Sequence, residues 1–312
     1  VSRKIKNLYK ANIDPERIFI MPGGKPTMSF AISFFGEPEA EIIYPDPGFP
    51  IYESMINFTG AKAIPYNMTE NKDFSINPDK ILKLINEKTR LLILNNPHNP
   101  TGGFTTKNII DRLAKGLKNF PNLAILSDEV YDRLIFDKGE IPTLLNYPEL
   151  YERLIVLNGW SKTYAMTGWR LGWGVWPEKL IEHVFKFCVN NHSCVNTPAQ
   201  YGAIAALDGP EDHLHNMINE FSIRRKLIVE GLRSLKGVEC SLPGGSFFVF
   251  PNVKNTGMNG EEFTEKCLQQ AGVAMIPGRA FGKFATHNVR FNFATSKENI
   301  SKAIEKIDKI LK

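Results

Sequence analysis

Five short runs dominated by apolar residues, RIFIM (17–21), EIIYP (41–45), LLILNN (91–96), LAILSDE (123–129) and LIVLNG (154–159), are separated by longer amphipathic segments. Runs this short, rich in branched residues and closed by polar turns, read as strands buried on both faces, as in a parallel sheet. The intervening segments predict helices from Pro26, over Ile51–Phe58 and over Lys107–Asn119, so the chain is of the α/β class. After Leu207 the pattern changes. A long charged helix is expected in HLHNMINEFSIRRKLIVEGLRSL (213–235), then strand-like CSLP (240–243) and SFFVFP (246–251), a helix from Gly260 and a strand in NVRFNFATS (288–296). Strands and helices are segregated here, which predicts a large domain over 1–209 and a smaller α+β domain over 210–312.

With 312 residues, 43% of them hydrophobic, the chain can bury a sizeable core. Its net charge of +5 comes from 38 basic and 33 acidic residues without dense basic blocks, so neither nucleic acid nor a membrane surface is an expected partner. No apolar run approaches the roughly 20 residues of a membrane span. Cys188, Cys194, Cys240 and Cys267 form no CxxC pair and the histidines no HExxH, so no metal site is expected, and free thiols in a cytoplasmic protein are the simpler reading. The chain opens on Val1, from which a natural start further upstream is expected.

Polar clusters recur where the expected strands end: GGKP, NNPHNPTG, SDEVY and GWSK. In open parallel sheets that edge is where ligands bind. Gly23, Gly24 and Lys25 follow a strand and open a helix, which makes either an anion cradle or an ordinary strand-to-helix turn; Pro26 suits the first helical turn. Asp128 is a buried-edge carboxylate or a helix N-cap, with Tyr131 three residues on. In NGWSKTYAMTGWRLGWG, Lys162 and Arg170 stand with no acid between them. A lysine partly buried near another cation loses its proton more readily and can attack a carbonyl to form a Schiff base, whereas a surface lysine would do nothing of the kind. Ser161 and Arg170 offer a hydroxyl and a planar fork of donors suited to phosphate. Trp160, Trp169 and Trp173 read as packing residues, His98 as a turn residue, and Arg224 and Arg225 as solvated.

From Arg17 almost to the C-terminus, GGK, YPDPGFPIY, NNPHNPTGG, SDEVY, SKTYAMTGWRLGW and VRFNFATS occur in one order. In this the chain resembles the class I/II pyridoxal-phosphate-dependent aminotransferases of fold type I, in particular their aspartate-aminotransferase-like branch. The resemblance implies a large, mostly parallel α/β/α domain and a smaller α+β C-terminal domain, with pyridoxal 5′-phosphate as cofactor. It implies that Lys162 carries the cofactor covalently and moves the substrate's proton, and that Asp128 binds the pyridinium nitrogen. Asn99 and Tyr131 would bond the ring's O3′, and Phe49 would stack on the ring. Gly24, Lys25, Ser161 and Arg170 would hold the phosphate. Arg290 would grip the substrate's α-carboxylate, a match for the planar guanidinium fork, with Asn99 and Lys25 also touching substrate. A homodimer is implied as well.

The chain departs from the family pattern in two places. It starts after the family's N-terminal arm, and Gly159 stands where some members carry a serine, a contact that Ser161 would take over. Lys25 favours a donor of the aspartate or glutamate type, exchanging with a 2-oxo acid such as 2-oxoglutarate. Aromatic or alanine aminotransferase, a carbon-sulfur lyase on the same scaffold, and a non-catalytic cofactor-binding module are the other readings.

Overall fold

The computed structural model describes residues 1–136 and 141–312. Seven strands build the main sheet: β1 (Ile18–Met21), β2 (Glu41–Asp46), β3 (Lys62–Asn67), β4 (Thr89–Asn95), β5 (Ala124–Asp128), β6 (Leu154–Gly159) and β7 (Gly172–Val175). Their order is β1-β7-β6-β5-β4-β2-β3, and only β7 runs against the others. All five expected strands are present.

Successive residues of the central strands belong to two different cores. On β4, Leu91 and Ile93 face a cluster built with Met28, Ile32, Tyr52, Ile56 and Val184, while Leu92 and Leu94 face one built with Ile5, Ile81, Ile110, Leu113 and Ala199. The helices that cover the first face are α2 (Lys25–Phe35), α3 (Ile51–Thr59) and α6 (Ile181–His192). The second is covered by α1 (Ser2–Tyr9), α4 (Pro78–Leu84), α5 (Lys107–Leu117) and α7 (Thr197–Asp208). Two covered faces explain why these strands are apolar throughout instead of alternating, each buried Leu or Ile contributing about 1.5–3 kcal/mol.

The C-terminal part packs α8 (Asp212–Ser234), α9 (Gly260–Lys266) and α10 (Lys297–Leu311) with a small antiparallel sheet, in which β10 (Val289–Asn292) lies between β8 (Phe248–Val249) and β9 (Ile276–Pro277). Its core includes Tyr131 and Leu134 from beyond β5, so the two parts share packed residues. Among the described residues no helix is long and apolar enough to cross a membrane.

Several sequence expectations fail locally. CSLP forms no strand, and SFFVFP gives only the two residues of β8. Arg225 is buried, its guanidinium carbon 4.9 Å from the Phe136 ring, because it faces inward on α8; Arg224 beside it pairs with Glu220. Trp160 and Trp173 are packed, but Trp169 is 51% exposed.

Candidate active site

Strand direction decides which residues meet. β1, β2, β4, β5 and β6 all end at one edge of the sheet, where Asn95 lies in register with Asp128 and Asp128 with Leu157. β7 is antiparallel, so it begins where they end: Gly172 pairs with Met21 on one side and Gly159 on the other. That reversal carries Arg170 back to the same edge as Gly23 and Lys162.

Gly23 has φ +91°, and a Cβ there would lie 2.3 Å from Arg170 Nη2. Glycine is needed on both counts, backbone conformation and room for the guanidinium. Gly24 is the N-cap of α2 and Pro26 occupies its first turn, so the free amides of an 11-residue helix open beside Arg170. Arg170 itself adopts φ 54° and Ala165 φ 52°, left-handed conformations that are uncommon for non-glycine residues. The Arg170 Nη1–H donates to the Thr167 carbonyl at 2.8 Å. Among the described residues no carboxylate forms an ion pair with Lys25, Lys162 or Arg170.

The Lys162 Nζ lies beside two packed aromatic rings, 5.8 Å from the Tyr131 ring centre and 5.3 Å from that of Phe247. Burial lowers its pKa, the Arg170 and Arg290 charges lower it further, and Asp128 opposes them. A lysine so placed is readier than usual to act as a free amine.

Asp128 is 2% exposed at the end of β5 and has no cation within ion-pair distance among the described residues. Burial raises its pKa to about 6, against the stabilising effect of the Tyr52 hydroxyl, which donates to Oδ2 at 2.5 Å, and of the Val130 N–H on Oδ1 at 3.2 Å. Tyr52 does not stand out in the sequence although it lies in YPDPGFPIY; it follows Phe49 by three residues, at the start of α3, and the two rings meet edge to face, 6.1 Å apart.

On the other side, the Arg290 Nη1–H donates to Asn99 Oδ1 at 2.9 Å, and the guanidinium is sandwiched between Phe248 (4.3 Å) and Phe281 (4.6 Å). Asn95 fixes the loop beneath: its Oδ1 accepts the Asn99 N–H at 2.9 Å, and its Nδ2 donates to the Asp128 carbonyl at 3.0 Å. Neither Asn95 nor the phenylalanines stood out in sequence. A run of FF after GG was the only visible signal for Phe247 and Phe248. His98 in the same loop is buried and pushed down to about 3, hence neutral, with Nδ1 2.7 Å from Thr101 Oγ1.

Residues 1–307 match the family model described as "Aminotransferase class I and II". The chain belongs to that family. It is 34% identical to the aspartate aminotransferase of Pyrococcus abyssi, over 100% of this chain and 80% of that protein, and 36% identical to the probable aspartate aminotransferase of Methanocaldococcus jannaschii, over 99% and 81%. The crystal structure of an aromatic aminotransferase from Pyrococcus horikoshii superimposes with TM-score 0.95 at 34% identity, covering 99% of this chain and 83% of that one. As a class I and II aminotransferase the protein is a pyridoxal-phosphate-dependent transaminase acting on amino acids and 2-oxo acids. Its site suits that cofactor: a donor cradle kept open by Gly23, an amine beside two aromatic rings, and a buried carboxylate that pairs with no cation among the described residues.

Proposed function

We propose that the protein transfers the amino group of an aspartate- or glutamate-type donor to a 2-oxo acid such as 2-oxoglutarate, with the site residues acting as follows. Pyridoxal phosphate, when bound, supplies an aldehyde that condenses with amines and a ring that takes up electron density from the substrate's α-carbon. Lys162 would hold it through its side-chain amine, and the same amine would act as the base and acid that moves the proton at the substrate's α-carbon. Burial and the Arg170 and Arg290 charges lower its pKa, which favours the free amine that both roles need. Asp128 would hold the ring nitrogen protonated, and the Tyr52 hydroxyl keeps that carboxylate charged and aimed. Asn99 and Tyr131 would bind the ring's O3′, Phe49 would cover its face, and Gly24, Lys25, Ser161 and Arg170 would hold the phosphate. Arg290 would bind the α-carboxylate, its fork fixed by Asn99 and two rings.

One observation carries this reading: Lys162 lies within electrostatic reach of both Asp128, which Tyr52 binds, and Arg290, which binds Asn99. For the substrate side chain, Lys25 supplies an exposed cation 5.9 Å from the Phe49 ring centre, open to a distal carboxylate. An aromatic donor is the second reading, favoured by Phe247, Phe248 and Phe281 around the site and by the relatives named for that activity.

We further propose a two-domain division at 209/210, a homodimer and a cytoplasmic location. The exposed Phe185, Val189, Tyr201 and Ile204 on α6 and α7 support a partner surface, and four free cysteines suit a reducing compartment. The absorbance of the yellow protein with each amino acid added in turn tests the donor. Aspartate or glutamate is expected to convert the bound cofactor to its amine form fastest. Faster conversion by tyrosine, or release of pyruvate and ammonia instead of glutamate formation, would replace this reading.

A further inference from the structure

Asp46 ends β2, in the YPDPGFPIY stretch, and is 1% exposed. Its carboxylate is bonded to a segment more than 230 residues away: Oδ2 accepts the Lys283 N–H at 3.1 Å and Oδ1 the Phe284 N–H at 3.2 Å. Beside it the Gly48 N–H donates to the Phe281 carbonyl at 2.7 Å. Three hydrogen bonds thus join the loop after β2 to the loop between β9 and β10. Gly282, between the bonded residues, has φ +149°, and a Cβ there would lie 2.0 Å from Asp46 Oδ1. The missing side chain is what lets the carboxylate reach two consecutive amides.

The loop so held carries Phe281, one of the two rings against the Arg290 guanidinium, and leads into β10, which carries Arg290 itself. Gly278 N–H donates to the Asn288 carbonyl and Asn288 N–H to the Ala285 carbonyl, so the loop closes on itself directly before β10. A shift at residues 283–284 therefore has a short, hydrogen-bonded route to Phe281 and Arg290.

We propose that Asp46 is a positioning residue for substrate: it latches the 278–285 loop to the main sheet's edge and thereby sets the distance between Arg290 and the groups around Lys162. Phe49, three residues along, follows from the same anchored turn, so one latch would register the ring-covering residue and the carboxylate-binding arginine together. The inference rests on the reading of Arg290 as the α-carboxylate site, and the test separates the two.

Loaded, full-length enzyme carrying Asp46→Asn is compared with Arg290→Lys and with the double variant, using whichever of aspartate, glutamate and tyrosine the unaltered enzyme turns over fastest. The amide side chain keeps the shape but loses the charge and one acceptor. KM should rise roughly tenfold, the usual scale for a lost charge-assisted hydrogen bond, with kcat nearly unchanged, cofactor content full, and the double variant's KM below the product of the single effects. Hydrogen exchange at the Lys283 and Phe284 amides should accelerate, and the melting temperature should fall by a few degrees, roughly the effect of one buried hydrogen bond. Unchanged KM and unchanged exchange in Asp46→Asn, with KM raised in Arg290→Lys, would overturn the latch and leave Arg290's assignment standing. Unchanged KM in Arg290→Lys would remove both. If Asp46→Asn fails to fold, Gly282→Ala applies the same test, because the added methyl displaces the carboxylate without altering it; an unaltered KM there also overturns the proposal.

Discussion

The Tyr52 hydroxyl donates to the Asp128 carboxylate at 2.5 Å, and both groups are buried. Burial raises the Asp128 pKa to about 6, and the Tyr52 bond works against that rise. Removing the hydroxyl in Tyr52→Phe should therefore push Asp128 higher still. For an acid whose folded pKa exceeds its unfolded one, the folded state binds the extra proton between the two values, so stability falls as pH rises through that window and is lowest above it. The variant's window extends above pH 6. At pH 8 it should be less stable than the unaltered protein by about 1.5–3 kcal/mol, the scale of a hydrogen bond to a charged group, and at pH 5 the gap should shrink because both carboxyls are then largely protonated. Urea titrations of the cofactor-free protein at the two pH values check this; an equal gap at both would show that Asp128 does not sense Tyr52.

The same pair marks the limit of what the sequence disclosed. The five strands were legible because both faces are covered, which leaves an uninterrupted apolar run. Strand β3 was not, because KAIPYN is half-exposed and has Pro65 inside it, and the glycine-rich GWGV of β7 was absorbed into a motif. Lys162, Asp128, Asn99 and Arg290 stand out in the sequence because their local motifs are distinctive. Tyr52, Phe248 and Phe281 act through partners far away in the chain, Asp128 for the first and Arg290 for the other two, and Asn95 joins its near neighbour Asn99 to the distant Asp128 carbonyl. Arg225 misled for the opposite reason: a charge on an amphipathic helix reads as solvated unless one knows that Phe136 lies beneath it.

Lys162→Ala should lower the transamination rate by at least roughly 10²–10⁴-fold, the typical contribution of a positioned acid–base group, with cofactor still retained through the phosphate cradle. Borohydride reduction followed by peptide mass analysis should attach the cofactor to the Lys162 peptide of the unaltered protein and to no peptide of the variant. Label on another lysine, or an unchanged rate, would overturn the assignment.

Lys25 bears on donor choice. Its ammonium is exposed, so a pair with a distal carboxylate is worth about 1 kcal/mol at most, roughly fivefold in KM. Lys25→Ala should raise KM for aspartate by up to about that factor and leave KM for tyrosine within about twofold. An equal rise for both donors would place Lys25 with the cofactor's phosphate instead, since weaker cofactor binding cannot distinguish the two.

Gly23→Ala tests the cradle without replacing a charged residue. Two effects act in the same direction. At φ +91° a methyl group strains the turn, typically by about 1–3 kcal/mol, and its position 2.3 Å from Arg170 Nη2 forces the guanidinium away. Arg170 can move, because it is exposed and, among the described residues, its side chain is held by one bond, to the Thr167 carbonyl. The strain would lower the melting temperature whether or not a ligand binds there, whereas the displaced guanidinium matters only if phosphate occupies the cradle. The variant's affinity for pyridoxal phosphate should consequently fall roughly tenfold or more, the effect of one lost charge-assisted bond, while its affinity for pyridoxal, which lacks the phosphate, stays the same. Equilibrium dialysis against both compounds reads the difference. If the two affinities fall together, the turn supports the site only as a scaffold and the phosphate lies elsewhere.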